Sequence, residues 1–259
     1  TLQFVAAEDI AVNANIGSTS GKLNVKLNAQ GDVTLGSASA LNVQIVTKGG
    51  DFKVTGGQDD GIAIGETFGV GAGSFTSHSS STIDTTGGTN LAGGDVDISS
   101  AVRDPGTGNT SGNIIIGGDI TTSGGTVSSS GAGKDGGTVS IEARNAGTLS
   151  IESGADITTT GSAGNTSGAG GAGGNVTLNT ATTTLTLKDT KIDTSGGAGA
   201  GAAAGAGGTI TISDPLTIST GEVELTTGTS AGNISTSTID GTTSIKLTSG
   251  TGSISTGVI

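Results

Sequence analysis

The chain has 259 residues, of which 51 are glycine, and it lacks cysteine, methionine, tryptophan and tyrosine. The missing cysteine excludes disulfides and thiolate metal sites. A formal net charge of −12 argues against nucleic acid as a partner, because nucleic-acid binding relies on clusters of Lys and Arg. No run of about 18 apolar residues occurs, so we predict no membrane-inserted helix in this segment.

Short alternating apolar runs, typical of half-buried strands, fill the first third of the chain. We predict strands there over 22–28, 32–35, 41–47, 52–55 and 62–64. Residues 66–81 interrupt the alternation and contain Phe68, Phe75 and the only histidine, His78. We therefore predict that 66–81 is a loop inserted over the surface.

A recurring phrase dominates the second part of the chain. It consists of Gly-Gly, a polar residue and an aliphatic–polar–aliphatic triplet, and it occupies 93–98, 136–141, 173–178 and 207–212. The residue after each Gly-Gly stands at 95, 138, 175 and 209, which gives steps of 43, 37 and 34 residues. A unit that recurs with loops of unequal length indicates a solenoid.

Two further strand-like phrases follow each Gly-Gly phrase, for example at 184–187 and 191–197, and a Gly/Ala-rich loop of variable length then leads to the next copy. Three short strands per unit predict an all-β parallel β-helix over 1–259, with roughly eight to ten coils stacked about 4.8 Å apart. Val96, Val139, Val176 and Ile210 are predicted to form one inward column. A β-sandwich is the alternative fold, but two-residue Asn-Gly or Asp-Gly hairpin turns are scarce.

The wording of the repeat resembles the large bacterial exoproteins of the filamentous haemagglutinin type, which are adhesins exported by two-partner secretion. The residues that carry the resemblance lie at 8–16, 111–116, 173–178, 191–197 and 231–234. The resemblance implies a right-handed coil, a secreted bacterial protein at the cell surface and a non-catalytic shaft that attaches to a host or neighbouring cell. The family's Asn-Pro-Asn secretion motifs do not occur here, since Pro105 and Pro215 both follow aspartate.

The chain ends in repeat-like residues, so we expect it to be one segment of a longer protein.

Functions other than adhesion also fit parts of the sequence. A self-associating protein of an extracellular fibre or surface layer is the main alternative, because open strand edges favour pairing between chains. Thr-x-Thr stretches such as 182–186 raise the possibility of ice binding, but we expect the unequal loops to interrupt the flat face that it needs.

Candidate metal ligands lie in the phrase 56–64. Asp59, Asp60 and Glu66 could supply oxygen ligands to Ca²⁺, which takes six to eight of them. The phrase loosely resembles a calcium-binding β-roll repeat, but it occurs once and such rolls need tandem copies. The competing interpretation is a solvated turn, and no other cofactor is predicted.

Paired carboxylates are the candidate catalytic groups. Asp95 with Asp97, and Glu222 with Glu224, stand two apart on predicted strands and so share one face, as glycoside hydrolysis would need. The alternative is that these acids simply face solvent, and His78 among its serines has the same interpretation. We predict no enzyme activity. Asn113, Asn175 and Asn233 are predicted to stack their amides into a ladder.

Overall fold

The computed structural model describes residues 1–29, 31–40, 42–56, 73–100, 112–144, 146–180, 185–241 and 243–259. Within these ranges the chain is all-β, without a helix. In chain order the strands are β1 (Leu2–Ala6), β2 (Ile10–Val12), β3 (Ile16–Gly17), β4 (Val25–Ala29), β5 (Val33–Leu35), β6 (Gln44–Val46), β7 (Phe52–Gly56), β8 (Phe75–Ser77), β9 (Thr82–Asp84), β10 (Val96–Ser99), β11 (Ile114–Ile116), β12 (Ile120–Thr121), β13 (Val139–Ala143), β14 (Leu149–Ile151), β15 (Ile157–Thr158), β16 (Val176–Thr180), β17 (Leu185–Lys188), β18 (Lys191–Asp193), β19 (Ile210–Ile212), β20 (Leu216–Thr220), β21 (Glu222–Thr226), β22 (Ile234–Thr236), β23 (Ile239–Gly241), β24 (Ser244–Thr248) and β25 (Ile254–Ser255).

Every third strand belongs to the same parallel sheet. Sheet A has the order β1-β4-β7-β10-β13-β16-β19-β22-β25, sheet B runs β2-β5-β8-β11-β14-β17-β20-β23, and sheet C runs β3-β6-β9-β12-β15-β18-β21-β24. Each coil therefore adds one strand to each sheet. The predicted parallel β-helix is confirmed, whereas its right-handedness stays a prediction.

The core is a set of aliphatic columns that run from coil to coil. Val96, Val139, Val176 and Ile210 are direct partners in sheet A and are at most 1% exposed. Alternation places every second side chain inside the coil, and β-branched residues suit such a pleated surface. Burial of each of these side chains contributes about 1.5–3 kcal/mol, so the sequence needs few aromatic residues.

The loop predicted for 66–81 is wrong for residues 75–77. These residues form β8, which pairs with β5 on one side and β11 on the other. Phe75 is 1% exposed and lies between Val33 and Ile114 in its inward column. A Phe-Thr-Ser triplet is too short to reveal its alternation, and only the neighbouring coils identify it as a strand. Residues 66–72 lie outside the described residues, as does the predicted strand over 62–64.

The Gly-Gly pair of each phrase lies at the corner where the loop that leaves sheet C joins the next strand of sheet A. A Cβ atom on Gly174 would lie 1.9 Å from the Gly137 carbonyl oxygen, and one on Gly137 would lie 2.1 Å from that of Gly94. Successive coils approach so closely at this corner that only glycine fits. The backbone packing explains why the second glycine recurs in every copy of the phrase.

The long Gly/Ala loops form ordered layers beside the shaft. The Gly164 amide donates to the Ala198 carbonyl at 2.9 Å, and the Gly170 amide donates to the Ala203 carbonyl at 3.0 Å. Within one loop, the Gly171 amide donates to the Ser162 carbonyl at 2.9 Å. Loops of adjacent coils are thus hydrogen-bonded to each other, so the variation in loop length does not disturb the sheets.

Candidate binding surface

Asn and Asp side chains link the coils at the corner residue that precedes several of the strands. In sheet A, Asn24 Oδ1 accepts the Asp51 amide at 3.0 Å, and Asp51 Oδ1 accepts the Asp95 amide at 3.1 Å. The same bond joins Asn175 Oδ1 to the Thr209 amide at 2.8 Å. Because each bond satisfies a backbone donor of the next coil, these polar residues stabilise the stack.

The predicted asparagine ladder is wrong in its geometry. Asn175 and Asn233 precede sheet A strands, but Asn113 precedes β11 of sheet B. Each Oδ1 accepts a backbone amide of the following coil rather than bonding another asparagine side chain; for Asn113 the donor is Thr148, at 3.0 Å. Asn113 and Asn175 therefore lie in similar sequence phrases but precede strands of different sheets.

Asp95 and Asp97 have separate structural partners. Asp95 Oδ1 accepts the Thr138 amide at 2.7 Å, which makes this carboxylate part of the corner column. Asp97 Oδ2 lies 3.1 Å from Lys53 Nζ, and the two side chains are 45% and 44% exposed. Of these two candidate carboxylates, Asp95 therefore links two coils and Asp97 forms a surface ion pair.

Glu222 and Glu224 also interact with the neighbouring strand. Glu224 Oε1 accepts a hydrogen bond from Lys246 Nζ at 2.8 Å, which raises the pKa of Lys246. Glu222 Oε2 accepts one from the Ser244 hydroxyl at 3.3 Å. These contacts follow the β21–β24 register, in which Glu222 is opposite Ser244 and Glu224 opposite Lys246.

The calcium candidates Asp59, Asp60 and Glu66 lie outside the described residues. Among the residues that the structure does describe, no three His, Asp or Glu side chains are grouped so that they could hold a metal ion. His78 Nδ1 is 3.4 Å from the Ser80 hydroxyl, and the His78 amide donates to the Leu35 carbonyl at 2.8 Å.

Two half-buried carboxylates form small clusters that the sequence did not reveal. Burial alone would raise the pKa of Glu152, but hydrogen bonds from Lys188 and Ser150 outweigh this effect and lower it. Burial likewise opposes a low pKa at Asp193, where hydrogen bonds from Ser195 and Lys191 prevail. Contacts across and along the strands thus account for both shifts.

A shallow depression of about 470 Å³ lies on the outer side of sheet C near the first coils. Its lining includes Ile16, Gly17 and Val46, and Lys48 is the one ionisable group in it. With a single ionisable group, this depression offers no acid–base pair for hydrolysis.

Sheet A also carries a two-column polar face on five consecutive strands. Its five rungs are Thr138/Ser140, Asn175/Thr177, Thr209/Thr211, Asn233/Ser235 and Ser253/Ser255. Eight of these ten residues are exposed and two, Thr209 and Thr211, are half-buried. We call these ten residues the sheet A polar face.

The described part of the chain has no helix of the length and hydropathy needed to cross a membrane. Comparison with known protein families, curated proteins and solved structures gives no match to this chain.

Proposed function

We propose that this chain is a shaft segment of a large secreted bacterial adhesin or surface filament and that it takes part in attachment to a host or neighbouring cell surface. The observation that carries the proposal is the continuity of all three sheets. Nine, eight and eight strands follow one another in sheets A, B and C, with the same kind of inward column in each coil.

Such a stack has the mechanical properties of a spacer. Every coil is hydrogen-bonded to its neighbours on three sides, so bending the rod requires several ladders to be distorted together. Nine strands spaced about 4.8 Å apart span about 40 Å. Further coils built on the same rules would lengthen the rod without a change in its cross-section.

The placement of the acidic residues supports a non-catalytic role. Asp95, Asp97 and Glu224 are engaged in coil-linking hydrogen bonds or ion pairs. The stacked Gly/Ala loops widen the side of the shaft and offer it a contact surface. In this proposal the length of the shaft determines how far the protein extends from the cell that carries it. Its loops and outer faces contact the opposing cell.

The test uses Fab fragments raised against the purified chain and applied to the bacterium that produces it. Immunogold electron microscopy should place the label outside the cell envelope on extended structures, and an excess of Fab should reduce attachment to cell layers. Fab fragments against an unrelated surface protein are the control. Label confined to the cytoplasm, or surface label with undiminished attachment, would overturn the proposal.

A further inference from the structure

We infer that Asn165 is the acceptor of an asparagine-linked glycan. Asn165, Thr166 and Ser167 form an Asn-x-Ser/Thr sequon, the sequence that directs the transfer of a sugar to an asparagine side chain. The sequon lies in the loop that joins β15 to β16. The inference does not depend on the adhesin proposal, because it requires only a sequon-directed glycosyltransferase in the bacterium that makes the chain.

The fold separates this sequon from the others in the chain. Three more begin at Asn109, Asn175 and Asn233, of which Asn109 lies outside the described residues. In the other two, the middle residue, Val176 or Ile234, is buried in a strand of sheet A that is paired on both sides. A transferase has to enclose the acceptor peptide in its active site, and a strand held inside a sheet is not available for that.

The two sheet A asparagines are also engaged through their side chains. Asn175 Oδ1 accepts the Thr209 amide at 2.8 Å, and Asn233 Oδ1 accepts the Ser253 amide at 2.9 Å. Each of these bonds links two coils, so a reorientation of the carboxamide for sugar transfer would leave a backbone donor unpaired. These two side chains therefore have a structural role that opposes modification.

Asn165 begins a reverse turn at the surface of its loop. The Gly168 amide donates to the Asn165 carbonyl at 3.0 Å, and Thr166 inside the turn has a φ of 59°. The Asn165 amide donates to the Gly131 carbonyl at 2.9 Å, which fixes the base of the turn to the neighbouring loop. All three residues of the sequon remain exposed. Exposed loop tips of this kind are the parts of a folded chain that modifying enzymes reach most readily.

The Asn165 carboxamide can carry a sugar without loss of its present contacts. Its Oδ1 accepts the amide of the next residue, Thr166, at 2.8 Å, and its Nδ2 donates to the Val127 carbonyl at 3.3 Å. Because Nδ2 has two hydrogens, one stays available for Val127 when the other is replaced. The surroundings are open, since a Cβ on Gly131 would meet nothing within 4 Å and one on Gly201 would come no closer than 3.9 Å to the sequon.

The donor is a sugar activated at C1 as a phosphate or diphosphate ester. Asn165 Nδ2 attacks C1, so that an N–C1 bond forms while the C1–O bond breaks and the phosphate or diphosphate leaves with the bonding electrons. Nδ2 gives up one proton to a base of the transferase, and nothing is oxidised or reduced. This chain supplies the acceptor amide and the Ser167 hydroxyl by which the sequon is recognised.

The test is mass spectrometry of the chain purified from the bacterium that produces it. Trypsin distributes the four sequons over the peptides 104–134, 145–188 and 192–246, and fragmentation of 145–188 distinguishes Asn165 from Asn175. We expect the added mass of at least one sugar residue on Asn165 and none on Asn175 or Asn233.

Three variants test whether the sequon directs the modification. Ser167→Ala keeps the acceptor amide but removes the hydroxyl, so we expect complete loss of the sugar from Asn165, whereas Ser167→Thr should retain it. Thr177→Ala is the matched control, because it makes the same change in the sequon of Asn175 and should leave the sugar on Asn165 in place. Circular dichroism verifies that all variants keep their β structure.

Three results would overturn the inference. The first is an unmodified Asn165 in the wild-type chain, including the case in which only Asn109 carries a sugar. The second is a sugar on Asn165 that persists in Ser167→Ala, which would mean that the sequon does not direct its attachment. The third is equal modification of Asn165, Asn175 and Asn233, which would show that the fold does not select the acceptor.

Discussion

The Thr159 hydroxyl donates a buried hydrogen bond of 2.6 Å to the Gly174 carbonyl oxygen, across the base of the loop that separates them. Thr122 with Gly137 and Thr85 with Gly94 form the same bond at 2.6 Å. Loops of different length therefore begin and end at the same two points of the coil. Because this corner is constant, the number of residues per repeat can differ between coils while the three sheets stay in register.

The Thr159–Gly174 bond should contribute measurably to stability. Thr159→Val preserves the shape of the side chain but leaves the buried carbonyl without this donor, so we expect the free energy of unfolding to fall by about 1–3 kcal/mol. Thr158→Val, at the neighbouring outward position, is the control and should change it little. Urea unfolding followed by circular dichroism measures both, and equal effects would contradict the role of the hydroxyl.

Gly174→Ala should be more disruptive than an alanine at an open glycine. The new Cβ would lie 1.9 Å from the Gly137 carbonyl oxygen, so the backbones of two coils must separate. Overpacking of this kind costs about 1–3 kcal/mol and occasionally more. Gly21→Ala is the control, because its Cβ would meet nothing within 4 Å. Thermal melting compares the two, and similar melting temperatures would show that the corner can relax.

Ile116 and Ile115 are adjacent in β11 but point in opposite directions. Ile116 is 0% exposed and Ile115 is 38% exposed. Ile116→Ala should lower the free energy of unfolding by about 2–5 kcal/mol because it leaves a cavity in the core. Ile115→Ala should change it by less than about 0.5 kcal/mol. Urea unfolding of the two variants checks the inward and outward assignment, which a larger effect at Ile115 would reverse.

Two variants of Asp95 test whether this carboxylate links two coils or takes part in catalysis. Asp95→Asn retains an Oδ1 acceptor for the Thr138 amide and should leave stability nearly unchanged, whereas Asp95→Ala should lower it by about 1 kcal/mol. Thermal unfolding measures the difference. If the wild type released products from polysaccharides and Asp95→Asn abolished that release, the assignment of Asp95 to a purely structural role would be wrong.

Stability should decrease in acid, partly through Asp193. Burial tends to raise the pKa of this carboxyl, but hydrogen bonds from Ser195 and Lys191 hold it below its ordinary value of 3.8. The ionised group therefore stabilises the fold above pH 3.8, and this contribution is lost as the pH falls through the lower folded-state pKa. We expect Asp193→Asn to lose less stability than the wild type between about pH 5 and about pH 3, as measured by urea unfolding. Identical losses would exclude Asp193 as a source of the acid sensitivity.

The sequence predicted most strands because their alternation is local. The predicted strand 52–55 corresponds to β7, and 32–35 corresponds to β5 with a difference of one residue at its start. Phe75 and the asparagines were assigned wrongly for a common reason. A strand of three residues is too short to show its alternation, and two similar sequence phrases can lie in different sheets. In both cases the sequence does not reveal which residues of the adjacent coils a side chain will contact.

The sequence alone determined the all-β solenoid, the aliphatic columns and the glycine corners, because a period of two residues and a recurring Gly-Gly phrase are properties of the chain itself. Only the tertiary structure decided which carboxylates link coils, that the loops stack beside the shaft, and that ten polar residues from five coils share one face. Those relations join residues 20 or more positions apart, for example Asn233 with Ser253. They arise from the stacking of one coil on the next, which no local pattern specifies.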